Sequence, residues 1–207
     1  YLQHRNRPVV YVDKHPDILP LFKAELIELL PQHPIEITSL ENFNPNDFPE
    51  DTLFITSRYY INQLNTVLEQ HPVQNDPQHA HASRSLMIDV ESGQDSLNQL
   101  TKLPIGALVI IISCSSSVLK QAETAITSLR GDELLVRSIH QDEGFEEIEK
   151  ALPHARIGFA DTIVYKTLHI QLPPRSQKHL ANIHLTQVIP EQAREIIQTA
   201  LQHPNAL

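Results

Sequence analysis

Hydrophobic residues follow two alternating patterns along this chain. Short apolar runs such as Val9–Val12 and Leu108–Ile112 are typical of buried strands. Between the runs, apolar residues recur with the spacing of a helix, as in Ile18–Leu30 and Val118–Leu129. The pattern predicts about eight strands interleaved with about eight helices. The predicted strands cover residues 9–12, 35–40, 53–55, 86–90, 108–112, 134–138, 156–159 and 183–185.

Strands that alternate with helices pair mainly in parallel. We therefore expect an α/β fold with mainly parallel sheets in two small Rossmann-like lobes, a periplasmic-binding-protein-like arrangement. The strands form two sets of four on either side of about Ser92–Leu103. The first lobe is expected at residues 1–90 and the second at residues 91–207, with one continuous sheet as the alternative.

Composition narrows the classes of function. The net charge of −9 argues against nucleic-acid binding by this chain alone, because phosphate binding needs a basic face. Apolar runs are too short to span a membrane, and the single cysteine allows no internal disulfide, so a cytoplasmic location is predicted. The five glycines are at least 13 residues apart, which leaves no glycine-rich loop for a dinucleotide or a P-loop nucleotide.

A cluster of hydroxyl residues follows the most apolar predicted strand. The run Ala107–Ile112 ends in Ser113-Cys-Ser-Ser-Ser117, directly before a helical pattern. Backbone N–H groups at a helix N-terminus favour an anion, and hydroxyls add donors. We predict that Ser113, Ser115 and Ser116 bind the carboxylate or phosphate of a small ligand. Helix capping, for which one serine suffices, is the alternative.

Three other predicted strands also end in polar residues. The carboxyl ends of parallel strands meet at one edge of a sheet, where open α/β folds bind ligands. Arg58 is suited to a forked contact with a carboxylate or phosphate. An N-cap role is the alternative at each of these three strand ends. The predicted ligand-binding residues at these ends are Asp13, Thr56, Ser57, Arg58, Asp161 and Thr162.

Cys114 lies within the serine cluster. As the only cysteine it can form a disulfide only between two chains, which predicts a redox role. A small buried side chain is the alternative. A phosphatase-like loop would need arginine where Lys120 stands, so catalysis by Cys114 is not expected.

Other chemistry is weakly represented. His79-x-His81 is the best metal candidate, but it lies in the polar stretch 71–85, which the sequence predicts to be a mobile loop. No G-x-S-x-G motif is present. We predict no enzyme activity, no metal site and no cofactor.

A layout of four segments links the chain to a known family. The segments are Pro8–Lys14, Asp51–Ser57, Ile105–Ser113 and Arg156–Asp161. Together they resemble the effector half of certain GntR-type bacterial transcription regulators, in particular the cyanobacterial kind called PlmA. The resemblance covers essentially the whole chain and consists of strand and loop positions.

The resemblance implies a homodimer that matches a two-fold operator. DNA would be bound only through a winged helix-turn-helix domain that this chain lacks, with His4–Arg7 at the end of the linker. For the PlmA kind, it also implies a complex of the nitrogen-signalling protein PII with its adaptor PipX as partner. We therefore predict a C-terminal sensor and dimerisation domain that signals through a small-ligand cleft or a protein partner. A stand-alone two-lobed solute-binding protein is the alternative.

Overall fold

The computed structural model describes residues 6–72, 84–90 and 94–202. Each of the eight predicted strands is found in these residues, with ends that differ from the prediction by a few positions. The strands are β1 Val9–Asp13, β2 Ile35–Ser39, β3 Leu53–Ser57, β4 Ser85–Ile88, β5 Leu108–Ser113, β6 Leu135–His140, β7 Ile157–Asp161 and β8 Ile183–Thr186.

Helices connect the strands, and their ends follow local sequence signals. The helix after β5 begins behind the N-cap Ser115, whose side chain accepts a hydrogen bond from Val118 N, and it ends at Gly131 with a φ of 58°. The shortest helix was not predicted, because four residues carry no readable period. The helices are α1 Leu19–Leu29, α2 Ile61–Gln70, α3 Gln94–Leu100, α4 Ser116–Arg130, α5 Phe145–Ala151, α6 Thr162–Gln171, α7 Pro174–Gln177 and α8 Glu191–Gln202.

The strands form two four-stranded sheets in which all pairs are parallel. Their orders are β2-β1-β3-β4 and β6-β5-β7-β8. Helices flank both sheets, so the predicted α/β class with two small Rossmann-like units is confirmed. The strand order reverses between β1 and β3 in one sheet and between β5 and β7 in the other.

Both faces of the central strands are buried. In β1, Val9 and Tyr11 belong to one apolar cluster, whereas Val10 and Val12 belong to another on the opposite face. In the second sheet, β5 divides its apolar residues between two clusters in the same way. This double burial explains why the central strands are continuous apolar runs and not alternating patterns.

Contacts divide the chain into two units. The first unit comprises Tyr1–Glu91 and Val188–Leu207, and the second comprises Ser92–Gln187. The lobes expected from the sequence place α8 in the second lobe, but α8 packs on the core of the first unit through Ala193, Ile197 and Ala200. The apolar period of α8 predicts a helix, yet it carries no information about which sheet the helix covers.

Gly158 occupies a tight position in β7, between β5 and β8. A Cβ atom there would overlap Cδ1 of Ile183 and lie 2.7 Å from Cγ1 of Ile110. Overpacking of this kind costs about 1–3 kcal/mol. We expect Gly158→Ala to lower the free energy of unfolding in urea by that amount.

A compensating change serves as the control for this substitution. Adding Ile183→Val to Gly158→Ala removes the methyl group that meets the new Cβ, so the double variant should recover part of the loss. A Gly158→Ala variant as stable as the wild type would contradict the packing described for β7.

Candidate ligand site at the strand ends

The polar residues predicted as a site lie where the strand order of each sheet reverses. Such a switch point, at the carboxyl ends of the strands, is where doubly wound folds bind ligands. In the first unit Tyr11 pairs with Ile55, which places Asp13 beside Ser57 two residues further on. In the second unit the pairing of β5 with β7 likewise places Ser113 beside Asp161.

Asp161 is hydrogen-bonded to Ser113 at the switch point of the second unit, and we call these two residues the closed pair. Ser113 Oγ donates to Asp161 Oδ2 over 2.7 Å, and Cys114 N donates to the same oxygen over 2.8 Å. The other oxygen, Oδ1, accepts from Val164 N at 2.8 Å as the N-cap of α6. Both side chains are buried, with 0% exposure for Ser113 and 2% for Asp161. The carboxylate therefore ties β5, its following loop and α6 together.

The remaining hydroxyls of the second unit have different surroundings. Ser115 is buried, its N–H donates to Ser113 Oγ, and its own Oγ caps α4. Ser116 is exposed at the first position of α4. Thr162 is buried, and its Oγ1 has no hydrogen-bond partner in the described part of the chain. Thus Ser113 and Ser115 have structural contacts that account for part of the serine cluster.

Cys114 is half-buried, and its side chain packs against the apolar cluster that contains Ile110 and Ile112. Its backbone N–H is held by Asp161. These contacts fit a small packing side chain. They do not test the predicted redox role, which stays a prediction.

The switch point of the first unit has a different arrangement. Asp13 is 6% exposed, with Oδ2 accepting from the Tyr11 hydroxyl at 3.2 Å and Oδ1 accepting from His15 N at 2.9 Å. Ser57 is 1% exposed, and its Oγ has no partner among the described residues. Asp13 and Ser57 are adjacent in register, yet they form no hydrogen bond with each other.

Burial dominates the electrostatics around Asp13. Removal from water raises the pKa of Asp13, against the lowering effect of the His15 N–H, the Tyr11 hydroxyl and the His15 charge. Burial also raises the pKa of Tyr11 well above its ordinary value, and the Asp13 charge adds to this. The pKa of Tyr60 is raised by burial and then by Asp13, which places Tyr60 within the field of the carboxylate.

The other two predicted residues of the first unit have partners. Thr56 Oγ1 donates to Val12 O over 2.7 Å in a buried bond that joins β3 to β1. Arg58 Nη1 lies 3.5 Å from Asp89 Oδ2, and Arg58 Nη2 donates to the Tyr59 hydroxyl. Sequence reasoning missed Tyr11, His15 and Tyr60. Tyr11 could have been found because it precedes Asp13 by two residues on the same strand face.

Replacing Asp13 by asparagine should change how stability depends on pH. The pKa of Asp13 in the folded chain is raised from 3.8, so the folded state holds this proton more tightly than the unfolded state. The resulting stabilisation is complete below about pH 4 and is lost as the pH rises through the folded-state pKa. Urea unfolding of both proteins from about pH 3.5 to pH 7 measures the difference.

We expect the stability of the wild type relative to Asp13→Asn to fall as the pH rises across this range. The comparison cancels the contributions of all other titrating groups that the substitution leaves unchanged. A relative stability that is constant, or that increases with pH, would show that burial does not raise this pKa.

Neither a metal-binding cluster nor a membrane-spanning helix is found among the described residues. No group of three histidine, cysteine, aspartate or glutamate side chains there could hold a metal ion. His79 and His81 lie outside the described residues. In the described ranges, every helix is too short or too polar to cross a membrane.

Comparison with known protein families finds a similarity in the second half of the chain. Residues 95–189 match the family model of the cyanobacterial PlmA-type GntR regulator, C-terminal domain. No curated protein and no solved structure matches the chain. The matched range contains β5 to β8 and therefore the closed pair Ser113 and Asp161. Over residues 95–189, this chain is thus similar to the C-terminal domain of the cyanobacterial PlmA-type GntR regulators.

Proposed function

We propose that this chain is the sensor and dimerisation domain of a DNA-binding transcription regulator. The match of residues 95–189 to a regulator C-terminal domain carries the proposal. DNA is bound through a separate N-terminal domain, because a net charge of −9 disfavours DNA binding by this chain itself. The domain has no catalytic role or cofactor and acts in the cytoplasm.

A homodimer would present two DNA-binding heads to the two halves of an operator. The test fuses the chain behind a winged-helix head of known operator and measures binding to an operator with two half-sites. We expect a mass of twice 23.5 kDa for the chain in light scattering. We also expect operator binding at least ~10-fold tighter than that of the head alone. A monomeric chain with no gain in operator affinity would refute the dimerisation role.

Two signals are compatible with this role, a small ligand at the strand ends or a protein partner. The partner proposed from the family resemblance is the complex of PII with PipX. A small ligand that binds the folded chain raises its melting temperature, and the rise grows with ligand concentration. Co-elution of the chain with purified PII and PipX, and its absence with either protein alone, would support the protein route.

A stand-alone two-lobed solute-binding protein is the alternative function. The observation in its favour is that both units carry polar residues at their switch points. It predicts a monomer that binds its ligand without any DNA-binding head. A winged-helix segment encoded directly upstream of Tyr1 would rule it out, whereas a secretion signal there would favour it.

Cys114 is proposed to report oxidation by forming a disulfide between two chains, since no second cysteine exists within one chain. Non-reducing electrophoresis of the oxidised protein tests this role, with Cys114→Ser as the control. A crosslinked dimer that is lost in the variant supports it. A single monomer band from concentrated, oxidised wild-type protein would exclude it.

A further inference from the structure

In each unit, one of the two central strands ends with an aspartate and the other with a serine. The order of the two residue types is reversed between the units. In the second unit β5 ends with Ser113 and β7 with Asp161. In the first unit β1 ends with Asp13 and β3 with Ser57. Each pair occupies the switch point of its own sheet, so the two pairs are directly comparable.

Only one of the two pairs is joined by a hydrogen bond between its aspartate and its serine. Ser113 and Asp161 are the closed pair, and we call Asp13 and Ser57 the open pair. Ser113 donates to Asp161, whose two oxygens together accept three hydrogen bonds. In the first unit the Ser57 hydroxyl is buried with no partner in the described residues, although Asp13 is its neighbour in register. A buried hydroxyl without a partner is costly and rare in folded proteins. The open pair therefore has capacity for a ligand that the closed pair lacks.

The surroundings of Asp13 indicate the charge of that ligand. The groups that face the carboxylate are the Tyr11 hydroxyl, the His15 N–H and ring, the Lys14 N–H, and Tyr60. Within the described ranges, Asp13 forms no ion pair with a lysine or arginine. Burying a carboxylate without a cationic partner is unfavourable. A positively charged ligand group would relieve this cost, whereas an anionic group would increase it.

We propose that Asp13 and Ser57 bind the protonated amino group of a small ligand, with Tyr60 beside it. The ammonium group donates one hydrogen bond to Asp13 and another to Ser57 Oγ. The aromatic ring of Tyr60 adds the face that favours a cation. This inference rests on the proposed sensor function and names the chemistry that its first unit recognises. The proposed ligand group is cationic and binds the first unit, whereas the serine cluster of the second unit predicts an anionic ligand.

Three four-carbon probes of different charge test the proposal on the full chain. They are putrescine, which carries two ammonium groups, butanediol, which is neutral, and succinate, which is anionic. Melting temperature is followed as each probe is added, and calorimetry gives the affinity of any probe that stabilises the chain. We expect stabilisation by putrescine alone, increasing with its concentration.

Two substitutions locate the binding. Asp13→Asn removes the charge at constant size and should weaken putrescine binding by about 10-fold or more. Ser57→Ala removes one hydrogen bond and should weaken binding by about 3-fold to 10-fold. Because the Ser57 hydroxyl has no partner in the described chain, Ser57→Ala should fold at least as stably as the wild type.

The matched control removes another buried hydroxyl from the same unit. Thr52 is 0% exposed, and its Oγ1 also lacks a partner among the described residues, but it precedes β3 at the opposite end of the sheet. Thr52→Val should leave putrescine binding unchanged.

The proposal is overturned if no probe binds, if succinate binds as well as putrescine, or if Asp13→Asn retains the wild-type affinity. None of these results affects the dimerisation and operator tests. If those tests succeed while putrescine fails to bind, the sensor function stands and the amine specificity falls. If the dimerisation and operator tests fail and putrescine also fails to bind, the sensor function is refuted as well.

Discussion

Replacing Glu25 by alanine should destabilise the first unit by about 3–5 kcal/mol, the cost of breaking a buried ion pair by removing one partner. Glu25 is 1% exposed, and its Oε1 accepts from Arg194 Nη2 at 2.9 Å. Its carboxylate also accepts from Val188 N and Ile189 N, where the chain rejoins the first unit. The substitution leaves Arg194 Nη2 and the two N–H groups without their acceptor.

Urea unfolding measures this loss, with Glu36→Ala as the control. The Glu36 side chain is 64% exposed and lies 4.0 Å from Lys23, so its removal should cost less than about 1 kcal/mol. Adding Arg194→Met to Glu25→Ala should restore part of the stability, because the uncompensated charge is removed. Equal destabilisation by Glu25→Ala and Glu36→Ala would contradict the anchoring role of Glu25.

Replacing Asp161 by alanine should lower the free energy of unfolding by about 3 kcal/mol. The reasons are the loss of the α6 N-cap and the desolvation of buried donors that no longer have an acceptor. Three donors lose their acceptor, namely Ser113 Oγ, Cys114 N and Val164 N. All three lie in the second unit, so the effect should appear there. The measurement is again the free energy of unfolding in urea.

Asp142→Ala is the matched control for Asp161→Ala. Its side chain is 90% exposed and lies at the start of a helical segment, so stability should change by no more than about 0.5 kcal/mol. An Asp161→Ala variant that unfolds like Asp142→Ala would mean that the carboxylate is not structural. Asp161 would then be available to a ligand, contrary to the closed pair described here.

The fold could be predicted from the sequence because its signals are local. Val9–Val12 and Leu108–Ile112 are apolar runs, and each is followed by a helical period after a few polar residues. Alternation of this kind requires parallel sheets. The placement of α8 could not be predicted, since it depends on the fit of Ala193 and Ile197 to a core built from distant strands.

The sequence predicts where the candidate residues lie in the sheets, but not which hydrogen bonds they form. Strand ends marked by Asp13, Ser57, Ser113 and Asp161 do lie at the switch points. Whether each pair is open or closed depends on hydrogen bonds between residues that are 44 to 48 positions apart in the sequence. A serine that ties two strands together and a serine without a partner look the same in a linear pattern.

We propose that the ligand binds at the strand ends of the first unit and not at those of the second. An amide chemical-shift titration of the ¹⁵N-labelled chain with putrescine tests it most directly. We expect the shifted amides to include those of His15 and Arg58, which follow Asp13 and Ser57 in the sequence. Shifts confined to Ser115 and Val164, which surround the closed pair, or no shifts at saturating putrescine, would contradict it.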